Sequence, residues 1–173
     1  GTRHRKPDPL QVAFAHSLRN RRRSHFPFSR ALLARWGGGG SMQARPRTAM
    51  PFRPLLLPAA ITGTVWLHSM PGRLETWDAF LAEAGRERIS LIVCLTPRHE
   101  IAPLSPAYEA ALRAGTLPMR WLSLPMRDFG LADNLRDFRA GIERLAEAVT
   151  AGDAALLHCA AGIGRTGTAA ACL

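Results

Sequence analysis

The sequence predicts an α/β fold, a mostly parallel central sheet with helices on both faces. Three observations carry that expectation. Short apolar runs at 64–68, 90–95, 121–124 and 154–158 alternate with amphipathic runs at 77–86, 106–114 and 134–151, and such alternation builds parallel sheets through helical crossovers. The Pro71-Gly72 turn former separates the first two runs. The last apolar run enters a glycine-bearing loop, HCAAGIGRTG at 158–167, that opens a further helical run. Parallel sheets bind their ligands at the carboxyl ends of strands, where this loop would lie.

Each element has its own warrant. Residues 64–68 read as a strand that ends at the Pro71-Gly72 turn. Residues 77–86 place Trp77, Phe80, Leu81 and Ala84 at helical spacing. Residues 90–95 form a continuous apolar run of strand length, the pattern of a buried strand, and 106–114 read as a short helix. Residues 121–124 are strand-like. The helix at 134–151 carries Leu135, Phe138, Ile142, Leu145 and Val149 in register, and the strand at 154–158 delivers Cys159 to the sheet's carboxyl end.

The loop names a chemistry. A nucleophilic cysteine must be a thiolate, and helix N-termini and nearby cations lower a thiol's pKa from about 8.5 to roughly 3.5–7.5. Cys159 would have both, since Arg165 opens the helix and the N–H groups of Ala160, Ala161, Gly162, Ile163, Gly164 and Arg165 can curl around one point. The same amides would hold phosphate oxygens, and the planar fork of Arg165 suits two of them. Thr166 could donate its hydroxyl to the sulfur as it leaves. Six positions, His158, Cys159, Gly162, Arg165, Thr166 and Gly167, agree at once, which separates the loop from an ordinary strand–helix turn.

The loop resembles the signature of the cysteine-dependent protein tyrosine and dual-specificity phosphatases, and the resemblance extends over residues 64–173. The stretches Met70-Pro71-Gly72-Arg73, Val93-Cys94-Leu95-Thr96, Glu100-Ile101 and Leu124-Pro125-Met126-Arg127-Asp128-Phe129-Gly130 occur in the order of the cyclin-dependent kinase-associated phosphatase group and its bacterial relatives. The resemblance implies a dual-specificity-phosphatase-like fold and phosphomonoester hydrolysis through a phosphocysteine. It places the general acid at Asp128, with Asp133 second, since the latter's place before Asn134 suggests a helix cap. Arg127 stands where many relatives carry proline. The family fold continues beyond the signature helix, so the chain, ending at Leu173, is expected to be C-terminally truncated and only marginally stable.

Other residues carry paired readings. His158 would orient the loop and help hold Cys159 as thiolate, or simply end a strand. Glu100 would fix the Arg165 fork or sit solvated. Arg73 would contact substrate or follow a turn. Cys94 resembles the second cysteine that some relatives link to the nucleophile, but reads first as a small buried strand residue. Cys172 reads as a core residue of the last helix.

Charge divides the chain. Residues 1–54 hold 12 Lys+Arg and one acid, giving +11, whereas residues 55–173 hold 11 and 12, giving −1. The first segment, with Arg21-Arg22-Arg23 and glycines 37–40, has the composition of a disordered extension. The second is sized for one catalytic domain. An arginine-rich segment also admits nucleic-acid or acidic-membrane contact and an organellar transit peptide. No stable nucleic-acid partner and no membrane span are expected, the apolar runs being far shorter than the roughly 20 residues a span needs. Three cysteines do not make a disulfide scaffold, six dispersed histidines give no metal-ligand spacing, and no metal or cofactor is expected. A thiolate enzyme implies a reducing compartment, so a cytoplasmic monomer acting on a phosphorylated protein or peptide is the expectation. Phosphoinositides are disfavoured by the apolar Ala160, Ala161 and Ile163. RNA 5′ ends, a non-catalytic phosphate-recognition module and a rhodanese-like sulfur carrier stand as alternatives. A cooperative thermal melt at high temperature would contradict the expected marginal stability.

Overall fold

The computed structural model describes residues 51–173, which fall within one compact unit, Thr48–Leu173. Nearly all of the basic segment expected at 1–54 lies outside the described residues. In chain order the elements are β1 (Arg53–Leu55), β2 (Thr64–His68), α1 (Trp77–Arg86), β3 (Leu91–Cys94), α2 (Arg98–Leu104), α3 (Pro106–Ala114), β4 (Arg120–Ser123), α4 (Leu135–Thr150), β5 (Ala154–His158) and α5 (Gly164–Ala171). The fold is α/β, a five-stranded and mostly parallel sheet.

Strand order is β1-β2-β5-β3-β4, with β1 antiparallel to β2 and the rest parallel. The apolar run of β5 lies between β2 and β3, which is why it carries almost no polar side chain before His158. Register aligns His68 and Cys94 with His158, so three strand ends stop level at the point where the cysteine loop begins. Alternation along the strands sends Ile92, Cys94 and Leu156 to one face, where they join Phe80 and Ala84 of α1 and Tyr108 of α3.

Helix boundaries follow local chemistry. Thr76 Oγ1 accepts from Ala79 N at 3.2 Å to start α1. Ser105 caps α3 with Pro106 at its first position, and Gly115 closes it at φ 64°. For α4 the cap is Asn134, whose Oδ1 accepts from Arg136 N and Asp137 N at 3.1 and 3.2 Å. Asp133 is not a cap: it pairs with Arg127 instead. The correction is steric, since the residue immediately before the first helical one reaches the free N–H groups and the one before that does not.

Two elements were not anticipated. The antiparallel edge strand β1 straddles the 54/55 charge boundary and brings Phe52 into the core. Helix α2 has Pro103 in its interior and no side-chain cap, so neither periodicity nor capping announces it. Cys172 corrects another expectation, being exposed at the C-cap of α5, where the described residues leave it uncovered.

At Gly63 the chain enters β2 against the end of α4, its N–H donating to Val149 O at 3.1 Å. A methyl there would overlap the carbonyl oxygens of Val149 and Asp153, both backbone atoms that cannot turn aside. Gly63→Ala is expected to cost about 1–3 kcal/mol of stability, read as a lower urea midpoint at constant m-value.

Candidate active site

The cysteine loop is assembled by the ends of two elements. Strand β5 carries Cys159 out of the sheet, and α5 begins five residues later with Ile163 as an N-cap that offers no side-chain hydrogen bond. The orphan N–H groups of that helix start are therefore left for another acceptor. Gly162 adopts φ 75° and donates its N–H to Cys159 Sγ at 3.2 Å. A Cβ there would overlap the His68 carbonyl and Ser69 N, so no side chain fits.

Two opposed effects set the state of the Cys159 thiol. Burial pushes it up, but the Thr166 hydroxyl and the backbone N–H groups of Thr166, Gly162 and Ile163 more than reverse this, leaving it below the ordinary cysteine range. The Thr166 oxygen is buried and has no other hydrogen-bond partner. A sulfur so surrounded ionises more readily than a free thiol.

Arg165 lies beside it, 5% exposed. Its Nη1 donates to Glu100 Oε2 and to Met126 O, each at 3.2 Å, and its Nη2 donates to Glu100 Oε2 at 3.2 Å. Glu100 is thus brought onto the guanidinium, fixing the plane of the fork. Asp128 Oδ1 lies 3.6 Å from Nη2, on a loop that leaves the carboxylate largely exposed. Asp128, Cys159 and Arg165 line one cleft of about 660 Å³, with Arg73 and Thr168. Phe129, Leu131 and Ile163 give its rim exposed apolar side chains. Phe129 holds φ 52°, a strained backbone for an aromatic residue next to the candidate acid.

His158 is buried beneath the loop. Trp121 Nε1 donates to Tyr108 Oη at 2.8 Å, and that hydroxyl lies 3.0 Å from His158 Nε2 and also meets the Cys94 thiol. The imidazole Nδ1 faces the carbonyl oxygen of Cys159 at 3.5 Å, an acceptor that suits a proton on that nitrogen. Burial pushes its pKa down to about 3, so it bears on the loop as a neutral donor and supplies no charge. Tyr108 and Trp121 were not singled out from sequence, because a lone tyrosine on the apolar face of a helix gives no sign of what its hydroxyl will meet.

Cys94 falls in the core cluster and donates to Thr96 O at 3.5 Å. Burial pushes its thiol up to about 12, opposite in direction to Cys159, which makes it a poor thiolate. Among the described residues no three His, Cys, Asp or Glu side chains gather as a metal site, and no helix is long and apolar enough to cross a membrane.

A mostly parallel sheet whose central strand ends in a cysteine–arginine loop defines the general class to which this chain belongs. The family model described as PTP-SAK, Swiss Army Knife protein, DSP-PTPase phosphatase domain, matches residues 62–173, and the chain is a member of that family. A structure of kinase associated phosphatase, with its catalytic-site cysteine substituted by serine, is similar in fold. The TM-score is 0.57 at 20% identity, covering 72% of this chain and 73% of that one. No curated protein matches the sequence.

The neutral burial of His158 has a pH consequence. The unfolded chain binds a proton near pH 6.5 that the folded chain refuses until about pH 3. Between those values the unfolded state holds more protons, so stability falls as pH falls, by up to about 1.4 kcal/mol per pH unit from this group. Urea midpoints measured from pH 7 to pH 4 should show that slope, and His158→Gln should reduce it.

Proposed function

We propose that this domain hydrolyses phosphate monoesters, with phosphotyrosine or another aryl phosphate as substrate, through a phosphocysteine intermediate. The observation that carries the reading is the convergence of N–H donors on a buried Cys159 sulfur with a buried arginine alongside. A phosphate ester would enter the cleft with its oxygens on the loop amides and on the Arg165 edge that Glu100 leaves free. The Cys159 thiolate attacks phosphorus, forming the S–P bond as the ester P–O bond breaks. Protonated Asp128 gives its proton to the departing oxygen. Water then attacks the phosphocysteine, Asp128 takes its proton, and inorganic phosphate leaves as the thiolate is restored beside Thr166.

The apolar rim favours an aromatic leaving group over a polyanionic headgroup. Phe129, Leu131 and Ile163 offer area to a ring, whereas the chain's single lysine is Lys6, outside the described residues. A phosphorylated protein or peptide is the proposed partner, and a reducing compartment such as the cytoplasm is the proposed setting.

Turnover of aryl phosphates tests this reading. Cys159→Ser should abolish hydrolysis, and activity that survives it would overturn the proposal. Asp128→Asn should lower kcat by about 10²–10³ for phenyl phosphate but far less for p-nitrophenyl phosphate, whose leaving group needs little protonation. Tight phosphopeptide binding without any turnover by the parent chain would assign a recognition module instead.

A further inference from the structure

Every backbone amide in the loop has a carbonyl on the far side of the same peptide plane. Because the peptide is planar and trans, the C=O of one residue and the N–H of the next point in opposite directions. Whatever holds the carbonyl outward therefore aims the amide inward. Two arginines do this from elements distant in sequence. Arg53, half-buried on the antiparallel edge strand β1, donates Nη2 to Gly162 O across 109 residues. Arg73, just past the β2 turn, donates Nη1 to Ala160 O at 2.6 Å, a carbonyl that also accepts Met70 N at 3.3 Å.

We propose that Arg53 and Arg73 are positioning residues that set the peptide planes of the cysteine loop. By holding the Gly162 and Ala160 carbonyls outside, they turn the Ile163 and Ala161 N–H groups toward the sulfur and its phosphate. The inference rests on the phosphatase reading of this site but concerns residues outside the signature. The two contributions are unequal. Arg53 is the only side chain donating to Gly162 O among the hydrogen bonds of the described residues, and the peptide it orients carries the Ile163 N–H, one of the donors that act on Cys159. Arg73 shares its carbonyl with a backbone amide, so the Ala160 plane survives its loss in part. A guanidinium on each carbonyl also polarises the peptide and makes the opposite N–H a stronger donor.

The test compares Arg53→Met, Arg53→Lys and Arg73→Met in the whole chain. Iodoacetamide labelling of the Cys159 peptide is followed against pH by mass spectrometry, with an equilibrium titration against inorganic phosphate and a thermal melt. Arg53→Met should raise the labelling midpoint by about one pH unit and weaken phosphate binding about tenfold. Arg53→Lys, keeping one donor and the charge, should recover part of both. Arg73→Met should weaken phosphate binding about two- to threefold. A folded Arg53→Met with the parent midpoint and affinity overturns the inference; if that variant does not fold, a folded Arg73→Met with parent affinity does so. None of these readouts needs turnover. A chain that responds at Arg53 yet leaves aryl phosphates intact defeats only the phosphatase reading. Turnover with an indifferent Arg53 defeats only this one.

Discussion

Burying a cysteine sulfur in a protein ordinarily makes it harder to ionise, and burial acts on Cys94 in that direction within this same molecule. At Cys159 the sign is reversed by a handful of N–H groups and one hydroxyl, and the arrangement of the domain follows from keeping them aimed. Strand β5 must end level with β2 and β3 so that the loop has a floor. Gly162 must lack a side chain so that the loop can press against the His68–Ser69 peptide. Helix α5 must start without a side-chain cap so that its first amides stay available. None of these features would mean much alone, and together they make one buried sulfur easier to ionise than an ordinary thiol.

The guanidinium of Arg165 poses the complementary problem. A buried cation is costly unless it is paired and hydrogen-bonded. Glu100 and the Met126 carbonyl meet that need from two different segments, α2 and the stretch after β4. That shared dependence ties the Asp128 loop to the cysteine loop, because Met126 stands two residues before Asp128. A shift of the arginine would be felt at the carboxylate, and a shift of the loop at the arginine.

How far the sequence could be read depended on whether a residue acts through its own pattern or through a distant contact. Helix α1 emerged with its bounds because its apolar spacing is local, and Cys159 and Arg165 stood out because six residue types coincide within ten positions. The pairing of Glu100 with Arg165 spans 65 residues, and sequence could offer it only beside a solvated carboxylate, since no local spacing encodes it. Arg53 was hidden for a compositional reason: it closes a run of arginines, and charge counting assigned it to the extension rather than to the sheet. Tyr108 and Trp121 were hidden because an aromatic ring on an apolar face satisfies the hydrophobic pattern whatever its polar atom touches. Helix α2 was hidden by its own proline.

The cradle is built from main-chain atoms, and this separates two properties that most enzyme sites entangle. Side chains at 160, 161 and 163 contribute nothing to the ring of amides beyond tolerating its geometry, while Ile163 projects onto the rim of the cleft. The surface that lines the cleft can therefore be rewritten at those positions without disturbing the amides that act on the sulfur. A scaffold of this kind can change the walls of its cleft by side-chain exchange alone, while the main-chain ring around the sulfur stays as it is.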